Sequence, residues 1–170
     1  MKNRQKNNNK FVRILLQLLL ILAVIIGVNM WRSRDAASGA APPLSAATLA
    51  GEHFDLHKQR GRPLFVHFWA EWCPICAFEQ DTVEALSRDY QVITVAMSSG
   101  SDEELRAYMR DHGLGFRVIN DQQGQIAAAW GVAAVPATFV IDAGGEIRFV
   151  EMGYSTRLGL TARHWLVEYF

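Results

Sequence analysis

Cysteine is scarce in this 170-residue chain: Cys73 and Cys76 are the only two. A structural zinc site needs four ligands. No second cysteine pair exists, and His53, His57, His67, His112 and His164 are scattered without finger spacing. A zinc module is therefore set aside, and no metal or cofactor is expected. An excess of one charge is lacking too, since the formal net charge is zero. That zero hides an uneven distribution. Five basic residues and no acid precede residue 14, whereas from Ala41 onward ten Lys and Arg face sixteen Asp and Glu, a net of −6. An acidic domain argues against nucleic acid as a partner. Internal repeats and low-complexity domain segments are absent as well. Half of the residues are apolar, enough for a real core, and the length suits one domain with an appendage.

The appendage is N-terminal. Residues 1–10 are polar, Asn-rich and basic, a solvated cytoplasmic tail. Residues 11–31 follow, apolar from Ile14 to Val28 except for Gln17. As a helix, 21 residues rise about 31 Å, which matches a hydrocarbon core of roughly 30 Å. Arg13 can snorkel at one end and Trp31 suits the interface at the other. The basic flank places the N-terminus in the cytoplasm and the rest in the periplasm, with the inner membrane held through residues 11–31. A competing reading is a cleaved signal peptide, with Ser38-Gly39-Ala40 as the small-residue site. Both readings export the domain. Residues 32–43 read as a linker, and residues 44–170 as the folded domain.

Within that domain, Leu44–Leu56 reads as a short hairpin turning at Ala50-Gly51-Glu52-His53. Leu64–Trp69 is a buried strand and Pro74–Arg88 a helix, with Val83, Leu86 and Phe78 at spacings that face the sheet. Gln91–Met97 is a strand. Ser101 and Glu104 form a capping box for a helix that stops at Gly113. Phe116–Ile119 is a strand and Gln125–Trp130 a short helix. Val135–Asp142 and Glu146–Met152 are strands around the turn Ala143-Gly144-Gly145. Thr156–Phe170 is a last helix, with Leu158, Ala162, Trp165 and Leu166 as its apolar side. The alternation predicts an α/β domain: a mixed sheet with helices on both faces.

The two cysteines form a C-x-x-C pair where a strand hands over to a helix. Unpaired backbone N–H groups and the helix dipole favour negative charge there. Cysteines in such settings have pKa values of roughly 3.5–7.5, against about 8.5 for a free thiol. The Cys73 thiolate is then a nucleophile for disulfide exchange, and Cys76, one turn on, can resolve the mixed disulfide. A copper(I) site built from the two thiolates is a second chemistry open to the same pair.

Trp69-Ala70-Glu71-Trp72-Cys73-Pro74-Ile75-Cys76 resembles a thioredoxin active site. Val135-Pro136-Ala137-Thr138-Phe139-Val140-Ile141-Asp142 resembles the cis-proline segment of the membrane-anchored TlpA-like thioredoxins. Length and the Tyr154-Ser155-Thr156 ending are similar to the suppressor of copper sensitivity protein D group. The resemblance covers roughly residues 42–170 and implies a thioredoxin fold with an N-terminal hairpin addition. It implies a redox-active Cys73–Cys76 disulfide. It also implies a cis bond before Pro136, with Val135 and Trp72 contributing to substrate binding.

Two further residues are proton-transfer candidates. His67 stands where thioredoxin itself has a buried aspartate; it reads equally as a neutral core histidine. Glu79 stands where several TlpA-like reductases carry a glutamate beneath the cysteine pair; the plainer reading is an exposed helix glutamate. Asp81 departs from relatives that have proline there. Strand alternation points His67 inward beneath α-helical Glu79, so the two are expected to meet beneath Cys76 and share a proton.

The activity these features imply is a membrane-anchored periplasmic thiol:disulfide oxidoreductase. Its substrates would be protein thiols and disulfides, electrons would come from a membrane partner, and a link to copper tolerance follows from the resemblance. The alternatives are a disulfide oxidase, a haem-maturation reductase, a copper(I)-binding module and a redox-independent chaperone.

Overall fold

The computed structural model describes residues 13–21, 23–24, 27–28 and 36–169. The basic tail, the remaining positions of the expected anchor, and residues 32–35 of the expected linker lie outside the described residues. Contacts divide the chain into two units, residues 1–34 and residues 35–170. In the first, every described residue from 13 to 28 is helical and exposed. No helix is long and apolar enough, among the described residues, to cross a membrane.

The second unit holds eight strands: β1 (Gly39–Ala40), β2 (Ser45–Ala47), β3 (His53–Asp55), β4 (Leu64–Trp69), β5 (Gln91–Met97), β6 (Val118–Asp121), β7 (Ala137–Ile141) and β8 (Glu146–Met152). Its helices are α1 (Pro74–Asp89), α2 (Asp102–Asp111), α3 (Gln125–Ala129) and α4 (Arg157–Tyr169). Six strands form one sheet in the order β1-β8-β7-β4-β5-β6, while β2 and β3 pair separately as the hairpin. β4 runs parallel to β5 and β5 to β6, whereas β7 is antiparallel to both β4 and β8. This is the thioredoxin fold.

β4 sits between partners on both sides and is buried along its whole length. Its side chains alternate between two cores. Leu64, Val66 and Phe68 point to one, shared with Phe139, Trp130 of the α3 end, and Phe54 of the hairpin. Phe65 and Trp69 point to the other, shared with Val83 and Leu86 of α1, Leu105 of α2 and Leu160 of α4. A strand covered on both faces reads as a continuous apolar run, and Leu-Phe-Val-His-Phe-Trp is one, broken only by His67. The capping box of α2 is present: the Ser101 hydroxyl accepts from the Glu104 N–H, and the Glu104 carboxylate accepts from the Ser101 N–H.

Four expectations need correction. Phe78 is exposed, because α1 turns Cys76, Glu79, Gln80, Val83 and Leu86 inward and Phe78 falls on the opposite side. In α4 the expected apolar side, Leu158, Ala162, Trp165 and Leu166, is exposed, and Leu160 and His164 are buried. The His164 ring lies 4.3 Å from that of Tyr90 and 5.3 Å from that of Phe65, tilted against both, so ring contacts seat a histidine where periodicity favours leucines. β6 begins at Val118, after Phe116 has entered the core. β7 begins at Ala137, after the proline that has no N–H to give a ladder.

The corrected seating of α4 has a direct check. Leu160→Ala removes a fully buried side chain and is expected to cost about 2–5 kcal/mol. Leu158→Ser, at an exposed position, should stay within about 0.5 kcal/mol. Urea unfolding of the two variants measures both.

Candidate active site

β4 ends at Trp69, and the chain turns through Ala70, Glu71 and Trp72 into α1. The Cys73 N–H donates to Ala70 O at 3.2 Å. Cys73 is the N-cap of α1, with extended backbone, and Pro74 takes the first helical position, where a missing N–H costs nothing. The sulfur of Cys73 occupies the place of a capping oxygen: Cys76 N–H donates to it at 3.2 Å. Cys73 and Cys76 are joined as a disulfide. Cys73 is 5% exposed and Cys76 1%, so the first sulfur lies nearer the surface.

Register brings the second motif to the same point. Phe68 of β4 pairs with Ala137 of β7, so Val135 and Pro136 lie opposite the residues that lead into the cysteines. The Val135–Pro136 peptide is cis. Val135 O lies 3.7 Å from the Cys73 sulfur, and in the dithiol form the Cys73 thiol can donate to it. Pro136 is buried and its carbonyl accepts from Gly153 N–H.

Trp72 is 57% exposed beside Cys73. Its indole N–H donates to Ser98 O at 3.0 Å. Ser98 has φ +47°, the one positive φ of a non-glycine among the described residues. The next residue, Ser99, is fully buried; its hydroxyl accepts from Glu71 N–H and donates to Met97 O, both at 3.1 Å. Ser98 and Ser99 thus tie the cysteine loop to the end of β5. In the sequence they read only as a strand break, and a Ser-Ser-Gly run after an apolar strand is the one cue to such a turn. Trp69 is core, its indole N–H donating to the Thr94 hydroxyl.

Glu79 is wholly buried on the sheet-facing side of α1. One carboxylate oxygen accepts from Ser155 N–H at 3.0 Å, and the other has no hydrogen-bond partner. Burial pushes its pKa from 4.5 up to about 7, with the Ser155 N–H pulling the other way. His67 is buried on β4 and shares a hydrogen bond of 2.9 Å with the Thr138 hydroxyl of β7. Burial lowers its pKa from 6.5 to about 4, so the ring is neutral at pH 7. The expected pairing of His67 with Glu79 is not found. Each takes its own partner, and no hydrogen bond or ion pair joins them among the described residues. Ser155 and Thr138, which hold the two, carried no such signal in the sequence, because one acts through its backbone and the other across a strand pairing. No group of three or more His, Cys, Asp or Glu able to hold a metal ion occurs among the described residues.

Comparison with known proteins agrees with this geometry. The chain is 31% identical to the thiol-disulfide oxidoreductase ResA of Geobacillus thermodenitrificans, over 92% of this chain and 93% of that one. It is 32% identical to the thiol:disulfide interchange protein DsbE homolog of Paracoccus denitrificans, over 91% and 92%. Among solved structures, a secreted Mycobacterium tuberculosis disulfide oxidoreductase superposes with a TM-score of 0.62 at 26% identity, covering 72% of this chain and 95% of that one. The model of the AhpC/TSA family matches residues 38–150, a span that takes in β1 to β7, most of β8, both cysteines and the cis-proline, and on that match the chain belongs to the AhpC/TSA family of thioredoxin-like proteins.

Proposed function

We propose that this thiol:disulfide oxidoreductase reduces disulfides of exported proteins at the periplasmic face of the inner membrane. The observation that carries the chemistry is the Cys73–Cys76 disulfide at the start of α1, facing Val135. In the reduced protein, the Cys73 thiolate attacks one sulfur of a partner disulfide. A Cys73–partner bond forms and the other partner sulfur leaves as thiolate. The Cys76 thiolate then attacks Cys73, the Cys73–Cys76 bond forms, and the second partner sulfur leaves. Two electrons pass to the partner, and the protein is left in the disulfide state described above. A dithiol donor at the membrane returns it to the reduced state.

The role of Cys73 rests on the Cys76 N–H aimed at its sulfur, since a donor at 3.2 Å stabilises the thiolate over the thiol. Cys76 is the resolving cysteine, being the more buried. Its proton needs an acceptor out of reach of bulk water. Glu79, three residues on along α1, has a pKa near 7 and an oxygen without a partner. That pKa lets it take a proton and release it at neutral pH. His67, neutral and bound to Thr138, holds β4 to the strand that Pro136 leads into, so we assign it an orienting role. Val135 and Trp72 contact the partner chain.

The apolar run from Ile14 to Val28 behind a basic flank supports a membrane anchor. Export in turn places the pair where disulfides persist. The Tyr154-Ser155-Thr156 ending supports the suppressor of copper sensitivity protein D group among the TlpA-like proteins, and with it a link to copper tolerance.

Cys76→Ser is expected to accumulate mixed disulfides with partner proteins, and Cys73→Ser to accumulate few; non-reducing gels with mass spectrometry measure both. Faster alkylation of Cys76 than of Cys73 at neutral pH would reverse the assignment. Thiol trapping in cells should find the pair mostly reduced, and a mostly oxidised pair would make the protein an oxidase.

The Glu79 carboxyl has a sign that can be read in stability. Its pKa is about 7 when folded and 4.5 when free. Between these values the folded protein keeps a proton that the unfolded chain has lost, so stability falls as pH rises through the window. Glu79→Gln lacks this loss. The unfolding free energy of the variant relative to the parent should therefore rise by on the order of 2–3 kcal/mol from pH 4.5 to pH 7. Urea unfolding across that range measures it, and a flat difference would show that Glu79 is ionised in the folded protein.

A further inference from the structure

Exposed apolar side chains beside the reactive pair fall in one stripe. Trp72, Ile75 and Phe78 are 57%, 51% and 80% exposed, and Pro74 and Ala77 between them are exposed as well. Ile75 and Phe78, three apart, follow one side of α1, Trp72 stands in the turn just before it, and the other side of α1 carries Cys76, Glu79, Val83 and Leu86 into the core. No charged side chain interrupts the stripe; Glu71 precedes it and Asp81 ends it. Single exposed apolar residues are ordinary on a protein surface. A continuous run that starts at a reactive sulfur marks a contact surface.

The reaction itself identifies the occupant, and the argument rests on the oxidoreductase reading above. Cys73 is 5% exposed, yet its sulfur must come within bonding distance of a partner sulfur. The partner backbone therefore has to lie over the rim, with Trp72 and Ile75 on one side and Val135 on the other. A segment placed in this way extends over the stripe. Phe78 lies five positions beyond Cys73, about 7.5 Å along the helix and roughly 140° around it. An extended partner advances about 3.3 Å per residue, so a segment that leaves Cys73 along the exposed side of α1 brings its second residue level with Phe78. Alternation turns that residue to the same side as the cysteine, toward α1.

We propose that Phe78 is a specificity-determining residue, and that the preferred substrate is a polypeptide disulfide with an apolar side chain two residues from the attacked cysteine. A serine or carboxylate at that place would be desolvated against the ring without a hydrogen-bond partner. Glutathione disulfide, small and anionic, offers nothing to the stripe. The exchange step is unchanged: the Cys73 thiolate forms a bond to the partner sulfur and the partner's other sulfur departs as thiolate.

The test uses the full chain, reduced, in detergent micelles. It is mixed with two cystine-linked, end-blocked pentapeptides that carry either leucine or serine two positions from the cysteine. Acid quenching and mass spectrometry give the two second-order rate constants. The parent protein is expected to favour the leucine peptide by about tenfold, the effect of burying roughly half of a leucine side chain. Phe78→Ser should bring the ratio close to one, and Phe78→Leu should keep most of it. Equal rates in the parent overturn the proposal. So does a Phe78→Ser variant that slows both peptides together with the ratio intact, since that is the mark of a structural role. In either case the oxidoreductase reading stands. A parent protein that exchanges with neither peptide nor with oxidised dithiothreitol overturns that reading itself.

Discussion

The amide of Cys76 aimed at the sulfur of Cys73 is the contact the rest of the structure serves. A helix start leaves its first N–H groups without partners, and most helices meet them with a hydroxyl or carboxylate oxygen. Here sulfur takes that place, so the same contact that caps α1 also favours the thiolate. The contact works only if the helix begins where a buried strand ends. It also needs the strand held on both edges, so that the junction stays put. β4 meets both conditions, with β5 and β7 as its neighbours and both faces covered.

In the core, burial acts on two titratable groups in opposite directions and with one result. It raises the pKa of Glu79 and lowers that of His67, and in each case the neutral form gains. A permanent carboxylate charge on the buried face of α1 would oppose the thiolate that the helix start favours. With its pKa raised to about 7 by burial, Glu79 takes on that charge less readily than an exposed carboxylate. The imidazole is uncharged at pH 7, because its pKa of about 4 lies well below neutral. The difference in pKa sets the two groups apart: Glu79 titrates near neutral pH, whereas His67 stays neutral and bonded to Thr138 across a strand pair.

The local rules were legible where one element decided the outcome. The bounds of β4 and β5, the capping box of Ser101 and Glu104, and the cysteine pair at a helix start all follow from neighbouring residues. The cis-proline and its place beside Cys73 came from resemblance, since composition says nothing of a bond's isomer. What failed depended on distant partners. The buried side of α4 is chosen by the rings of Phe65 and Tyr90 around His164, far away in sequence. Phe78 has a spacing that suits either side of α1, and Gln80 is buried instead, its amide donating to the Tyr108 hydroxyl of α2. The holds on Glu79 and Trp72 come from the backbones of Ser155 and Ser98, and a backbone group leaves no mark in the identity of its residue.

The site gathers three separate segments because of where the sheet reverses its order. β4 continues to β5 by a parallel crossover on one edge and meets the antiparallel β7 on the other. At such a point the chain ends diverge and leave a crevice beyond the carboxyl end of the central strand. The turn after β4 supplies the cysteines, the turn after β5 supplies Ser98 and Ser99, and the entry to β7 supplies Val135 and Pro136. Register fixes how closely they approach. The pairing of Phe68 with Ala137 puts the cis-proline level with the end of β4, and the adjacent pairing of His67 with Thr138 brings those two side chains into their hydrogen bond. A slip of one residue would turn His67 and Thr138 to opposite faces and draw Val135 away from the sulfur. The His67–Thr138 bond is therefore a register lock for the reactive pair, formed inside the sheet and felt at its edge.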